Sequence, residues 1–293
     1  MAASVRPRLL VVGLGRLGGA LASRLQAAGW QVRVRTRSPS GRRQAKALRL
    51  REASAAETRA AQLCFLTVPD GAVAAVAASV ASSLSPSAAL VHCAGALTLD
   101  VLAPAGVGRP IGSFHPLVAV SGADTPLAGH AVAVATRSRW LQPQLLAVAK
   151  SLGLSPVRIP EEGRTAYHAG AALAAGGLVA LLDAAVATWL AAGIDRRSAE
   201  RALLPLMRSA LAGVEARGLV RGMTGPVVRG DAQVVAAHLA ALPEDALPVY
   251  RHLFGRALER LAPTLPRPSA LRLRVLLGPG QTRRRRRKAA PAR

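Results

Sequence analysis

Arg8-Leu9-Leu10-Val11-Val12-Gly13-Leu14-Gly15-Arg16-Leu17-Gly18 decides the fold of this chain. A short apolar run stops at a glycine-punctuated turn, a helical pattern runs from Gly19 to Ala28, and Gly29 halts it. Trp30 to Arg35 then alternates apolar and polar residues, as a half-buried strand does. Strand, glycine turn, helix and strand within about 30 residues is the arrangement that binds a dinucleotide. Gly13 permits the tight turn, Gly15 lets backbone approach a pyrophosphate, and Gly18 lets the helix pack close to the sheet. Leu14, Arg16 and Leu17 lie between them, so their amides are expected at the same phosphate, beside the positive end of the helix dipole.

The end of the second strand chooses the cofactor. A carboxylate there would hydrogen-bond a ribose 2′-hydroxyl, whereas arginine accommodates a 2′-phosphate. The sequence reads Arg35-Thr36-Arg37-Ser38, with Arg42 and Arg43 beyond and no carboxylate between Trp30 and Leu50. NADP is therefore expected over NAD, with Thr36, Arg37 and Ser38 at the extra phosphate.

Further apolar runs at Leu63–Val68, Ala88–Cys93, Ile111–Phe114, Ala131–Ala135 and Pro156–Ile159 read as strands. Helical patterns stand at Ala72–Leu84 and Trp140–Leu152, with a short turn at Leu97–Leu102 and a loop at His115-Pro116-Leu117. Alternation of this kind predicts an α/β fold with a doubly wound, parallel Rossmann sheet. After Gly163 strands vanish, and Thr165–Ala192, Arg197–Arg217, Asp231–Ala241 and Asp245–Leu261 read as helices of an all-α C-terminal domain. The expected divisions are a dinucleotide domain over 1–160, a helical substrate and dimerisation domain over 161–262, and a basic, disordered tail over 263–293.

Ligands of open α/β sheets lie beyond the carboxyl ends of the strands. Val68 and Pro69, Ala94 and Gly95, and Ser113 and His115 follow strands in this way, so the first four are expected under the ribose and nicotinamide. Ser113 is expected at the substrate. His115 is the expected acid or base, because imidazole exchanges a proton near neutral pH with a group that gains or loses hydride. His168, beside Tyr167 at the start of a long apolar helix, is a second catalytic candidate. Thr224 and Arg229, in a glycine-punctuated loop, are expected to shape the substrate end, with Asp231 capping the helix after them. His238 and His252 read as partnerless surface residues, and His92 as a strand residue near the cofactor.

The 293 residues carry a formal charge of +24. That suggests nucleic acid, but the charge is scattered apart from the terminal run Arg283–Lys288, so no specific nucleic-acid partner is expected. Cys64 and Cys93 stand in apolar runs, which predicts buried thiols of a reducing, cytoplasmic compartment and no metal site. Ala169–Gly193 approaches membrane-spanning length, but Asp183 near its middle would be costly in hydrocarbon and its glycines suit packing inside protein, so no membrane is expected.

Five separated motifs occur in order: Val11 to Gly18, Val91 to Leu97, Gly112 to Leu117, Tyr167 to Ala171, and Thr224-Gly225-Pro226 with Arg229-Gly230-Asp231. Together they resemble uncharacterised bacterial Rossmann-like proteins with a C-terminal helical domain of unknown function. Those proteins are similar to pyrroline-carboxylate reductases, F420-dependent NADP reductases and prephenate dehydrogenases. The resemblance implies NADP, a small-molecule substrate in an interdomain cleft, and a homodimer formed through the helix after His168. It leaves open the substrate, the hydride direction and whether a deazaflavin takes the place of an organic substrate. Ser113-Phe114-His115-Pro116 is similar to the histidine-proline loop of prephenate dehydrogenases, in which a histidine meets the substrate hydroxyl. A hydride-transferring oxidoreductase is thus the leading expectation, with a non-catalytic NADP sensor as the alternative.

Overall fold

A computed structural model describes residues 6–278. Leu9–Val12 forms β1, Arg16–Ala27 α1 and Val32–Arg35 β2, which are the elements the glycine motif predicts. Leu63–Leu66 forms β3, Ala89–His92 β4, Ile111–Leu117 β5, Ala131–Thr136 β6 and Ser155–Val157 β7. They make one sheet in the order β2-β1-β3-β4-β5-β6-β7. The step from β2 back past β1 to β3 is the topological switch at which such sheets bind ligands.

Alternation along the strands splits the core in two. Leu9 and Val11 face a layer that contains Leu21 and Leu25 of α1 and, farther along, Leu141, Leu145 and Val148 of Leu141–Ser151. Leu10 and Val12 face the opposite layer, with Val73, Ala77 and Val80 of Val73–Ala81. Both sheet faces are therefore covered, which explains why the strands read as unbroken apolar runs.

Three expectations need correction. The sheet is not wholly parallel, because β6 pairs antiparallel with β5, Pro116 opposite Val132. His115-Pro116-Leu117 is accordingly strand rather than loop: Pro116 lacks a donor but does not end β5. The other strand proline, Pro156, sits in the exposed edge strand β7, where a missing donor costs least. Finally, Pro39–Ala47 and Ala55–Ala60 are helices that the arginine-rich sequence concealed. Ser38 caps the first, accepting from the Gly41 amide at 3.0 Å, with Pro39 in the first turn. Ser54 and Glu57 form a reciprocal capping box on the second. Counting these, α1 is followed by α2 (Pro39–Ala47), α3 (Ala55–Ala60), α4 (Val73–Ala81) and α5 (Leu141–Ser151).

The chain divides into two compact units, residues 1–175 and 176–293, rather than at 160. Arg164–Ala174 (α6) stays with the sheet, and its break from Gly176–Ala191 (α7) falls at Ala175 (φ −104°, ψ −74°). The second unit contains α7, Arg196–Arg217 (α8), Ala232–Ala241 (α9), Ala246–Leu261 (α10) and Arg267–Leu277 (α11). Asp231 caps α9, accepting from the Val234 amide at 3.1 Å. The expected disordered tail is wrong for residues 267–277, because α11 buries Leu273 and Leu277 against Val235, Leu258 and Leu261. Arg283–Lys288 lies outside the described residues. The helical stretch Glu161–Ala191 is long and apolar enough to cross a membrane by length and composition, and little of it is buried in the chain.

Candidate functional site

Parallel register brings the ends of β2, β1, β3, β4 and β5 to one edge of the sheet, in that spatial order. At one extreme is a cleft of about 340 Å³. Gly13, Leu14 and Gly15 line it from the first turn, Thr36, Arg37 and Ser38 from the second, and Val68 and Pro69 from the third. Eight of the expected cofactor residues therefore converge, and Ala94 and Gly95 lie outside this cleft. Arg16, Leu17 and Gly18 do not line the cleft, since they already belong to α1.

The glycines divide by what a side chain would meet. A Cβ on Gly13 would come within 2.8 Å of the Thr67 carbonyl, and its φ of +93° disfavours any side chain. One on Gly18 would run into the Gly13 carbonyl and the Thr67 hydroxyl. That hydroxyl donates to Gly13 O at 2.6 Å and locks the turn to β3. Gly15 has nothing within 4 Å of the same position, so its approach is left to a ligand. Arg37 donates to Ser79 of α4 at 2.8 Å across the cleft mouth, and Arg35, Ser40 and Ser79 join the lining. Sequence reading missed Ser79, which lies 42 residues from Arg37. A tight turn, open amides and paired arginines fit the pyrophosphate and 2′-phosphate of NADP.

Near the other extreme is a polar cluster. His92, the last residue of β4, is fully buried, and neither ring nitrogen has a hydrogen-bond partner among the described residues. His115 of β5 lies one step farther along the edge, with Nδ1 2.8 Å from the Tyr167 hydroxyl. The His168 ring is 5.6 Å away, edge on. A Cβ on Gly95 would come within 2.9 Å of His115 Nε2 and would run into His168 Nδ1. The glycine after Ala94 thus faces two imidazoles, where a cofactor contact was expected.

The residue that organises this cluster was not foreseen. Arg164, at the start of α6, is 1% exposed and donates to Ser113 Oγ at 2.7 Å and to Ala94 O at 3.2 Å. Glu161 lies 3.9 Å from its guanidinium and accepts from the Leu99 amide at 2.9 Å. Ser113 is itself fully buried, so its hydroxyl holds Arg164 instead of meeting substrate. Nothing in the sequence distinguishes Arg164 from the other arginines of the chain; only the position of α6 against β4 and β5 does so.

Burial pushes His115 down to about 4, with His168 and the Arg164 cation adding to the effect. Burial, then Arg164, depresses His92 to about 4 as well. Burial raises Tyr167 and outweighs the pull of Arg164. At neutral pH His92 and His115 are neutral and Tyr167 is a protonated phenol beside one buried cation. Cys64 and Cys93 are both buried, and burial pushes Cys64 up to about 12, so neither offers a thiolate. Among the described residues no group of His, Cys, Asp or Glu could hold a metal ion.

Thr224 and Arg229 belong to the second unit, in the segment between α8 and α9, beside Gly225 (φ +104°) and Gly230 (φ +71°). His238 and His252 are not partnerless: His238 Nδ1 lies 2.9 Å from the Tyr250 hydroxyl, and His252 Nδ1 2.8 Å from Pro248 O.

Residues 8–95 match the family described as NADP oxidoreductase, coenzyme F420-dependent, and residues 131–257 match a domain of unknown function, DUF2520. The resemblance read from the five motifs is the one that these two matches make. No curated protein matches the chain. A Bacteroides fragilis protein assigned as an NADP oxidoreductase superposes with a TM-score of 0.70 at 21% identity, over 85% of this chain and 95% of its own. Protein TM1727 of Thermotoga maritima gives 0.61 at 24%, over 92% and 98%. Pyrroline carboxylate reductase of Plasmodium falciparum, solved with NADP bound, gives 0.58 at 14%, over 91% and 98%. The chain has the fold of NAD(P)-dependent oxidoreductases.

Proposed function

We propose that this chain is an NADP-dependent oxidoreductase that passes hydride to or from a small carbonyl, imine or alcohol, with His115 and His168 at the reacting end. The observation that carries this reading is the order of residues along the sheet edge. Arginines and serines suited to a 2′-phosphate stand at β2, an amide-rich glycine turn at β1, and an imidazole pair beside Gly95 at β4 and β5. When bound, the nicotinamide supplies the hydride. The chain supplies the rest: backbone amides grip the pyrophosphate, Arg37 selects the phosphorylated ribose, and His115 meets the oxygen or nitrogen that changes its protonation. The apolar helical stretch of α6 and α7, which exposes Leu173 and Val179, is read as a surface for a second copy of the chain.

Calorimetry with NADPH and NADH, followed by turnover on a panel of carbonyls and imines, tests the proposal. NADPH should bind at least tenfold tighter. His115→Gln should lower turnover by about 10²-fold or more while leaving NADPH affinity within a factor of two. Equal affinity for the two nucleotides would remove the role of Arg37. Turnover indifferent to His115 would remove the imidazole, and binding without turnover on any substrate would favour a sensor.

A further inference from the structure

We propose that Tyr167 is a positioning residue that fixes His115 as the tautomer protonated at Nε2, so that the site presents an N–H donor and takes substrates whose reacting atom is a hydrogen-bond acceptor, a carbonyl oxygen or an imine nitrogen. The substrate class rests on the hydride-transfer reading above; the tautomer does not.

A neutral imidazole carries one proton, and the hydrogen bond made by one nitrogen decides which nitrogen holds it. Tyr167 Oη lies 2.8 Å from Nδ1 and makes no other hydrogen bond among the described residues. If Nδ1 held the proton, it would donate to the phenol oxygen, and the phenolic hydrogen would have no acceptor among the described residues. If the phenol donates to Nδ1, that hydrogen is satisfied and the imidazole proton sits on Nε2. Nε2 lies against Gly95, whose missing side chain makes room for it and for His168 Nδ1; a Cβ there would come within 2.9 Å of Nε2. The charged and titratable groups around the ring are Arg164, Tyr167 and His168 of α6, His92 of β4, and Glu161, which lies against Arg164. Burial first, then His168 and the positive charge of Arg164, oppose a second proton on His115 and leave the ring neutral.

A neutral imidazole gives up its Nε2 proton only if Nδ1 gains one, and Tyr167 is placed to supply it. As hydride brings its electron pair to the electrophilic carbon, the π pair moves onto the oxygen or nitrogen, which takes the Nε2 proton. The phenolic proton passes to Nδ1 and leaves a phenolate facing the Arg164 cation; a solvent proton then adds at Nε2 as Nδ1 returns its proton to the phenolate, which restores both the phenol and the Nε2–H tautomer. Charge and protons balance, and no imidazolate is left behind.

The test is 15N-edited NMR of the full-length labelled chain at pH 7 without nucleotide, with the His115 ring assigned by its loss in H115Q. The expected spectrum has an unprotonated Nδ1 and a protonated Nε2, and Tyr167→Phe should mix the two tautomers. A wild-type ring protonated at Nδ1 overturns the proposal, whether or not Y167F folds. So does a folded Y167F that keeps the Nε2–H form alone. An NADPH titration of the same samples is independent: failure to bind sinks the cofactor reading and leaves the tautomer result standing. Once a reducible substrate is in hand, Y167F should lower kcat about tenfold or more with the KM for NADPH unchanged.

Discussion

Two glycines three residues apart, Gly15 and Gly18, should fail in different ways. Gly18→Ala forces a methyl into the Gly13 carbonyl and the Thr67 hydroxyl, so it should cost about 2 kcal/mol or more of stability, read as a lower Tm. Gly15→Ala meets only open space, so Tm should hold while NADPH affinity falls, because the methyl occupies the approach to the pyrophosphate. Arg37→Ala should weaken NADPH by roughly 10- to 100-fold, the worth of a hydrogen bond to a charged group, and leave NADH unchanged; equal losses for both nucleotides would place Arg37 elsewhere than at the 2′-phosphate. Arg164→Met removes a cation that depresses His115 and His92, so both should titrate at higher pH in an NMR series. The tight glycine turn and the place of the arginine loop at the cleft were legible from residue types and spacing alone. Arg164 and Ser113 were not, since a buried arginine and a buried serine carry no local mark, and their pairing joins residues 51 apart.

Among the elements, those with a period the core imposes were plain in the sequence: β1, α1, β2, β3 and β4 each carry an apolar run or stripe. Those held by local hydrogen bonds were harder to read. The helices α2 and α3 are short and polar, yet Ser38-Pro39 and Ser54 with Glu57 are start signals that could have revealed them. The extension of β5 through Pro116 was hidden because proline usually ends a strand, and only its antiparallel partner β6 shows why this one continues. α11 was masked by Pro263, Pro266 and Pro268 and by its arginines, although Leu273 and Leu277 lie four apart on its inner face. A chain truncated after Leu265 would leave Leu258 and Leu261 uncovered, so the second unit should lose its cooperative thermal transition by calorimetry while the first retains its own. A truncated chain that melts like the whole would show α11 to be an ornament of that core.

For the molecule as a whole, two neutral histidines at the sheet edge, His92 buried and His115 half-buried, tie stability to acid. His92 and His115 have folded pKa values depressed to about 4 from an ordinary 6.5, so the unfolded chain binds protons that the folded chain refuses. Their contribution is fully present above pH 6.5 and is lost as pH falls toward 4, on the order of 3 kcal/mol for each at the limit. Tm should therefore drop through that window, and His92→Gln should flatten part of the slope; a Tm that stays level from pH 7 to 4.5 would mean that neither ring is sealed as described.

The spacing of strands in a sheet is fixed by backbone hydrogen bonds, which turns the edge from β2 to β5 into a ruler. Four steps of about 4.8 Å set the anionic grip near Arg37 roughly 19 Å from the imidazoles. Fragments that end short of that span should each settle at one terminus without sensing the other. Adenosine 2′,5′-bisphosphate should bind beside Arg37 and leave the His115 resonances unmoved, and nicotinamide mononucleotide should do the reverse.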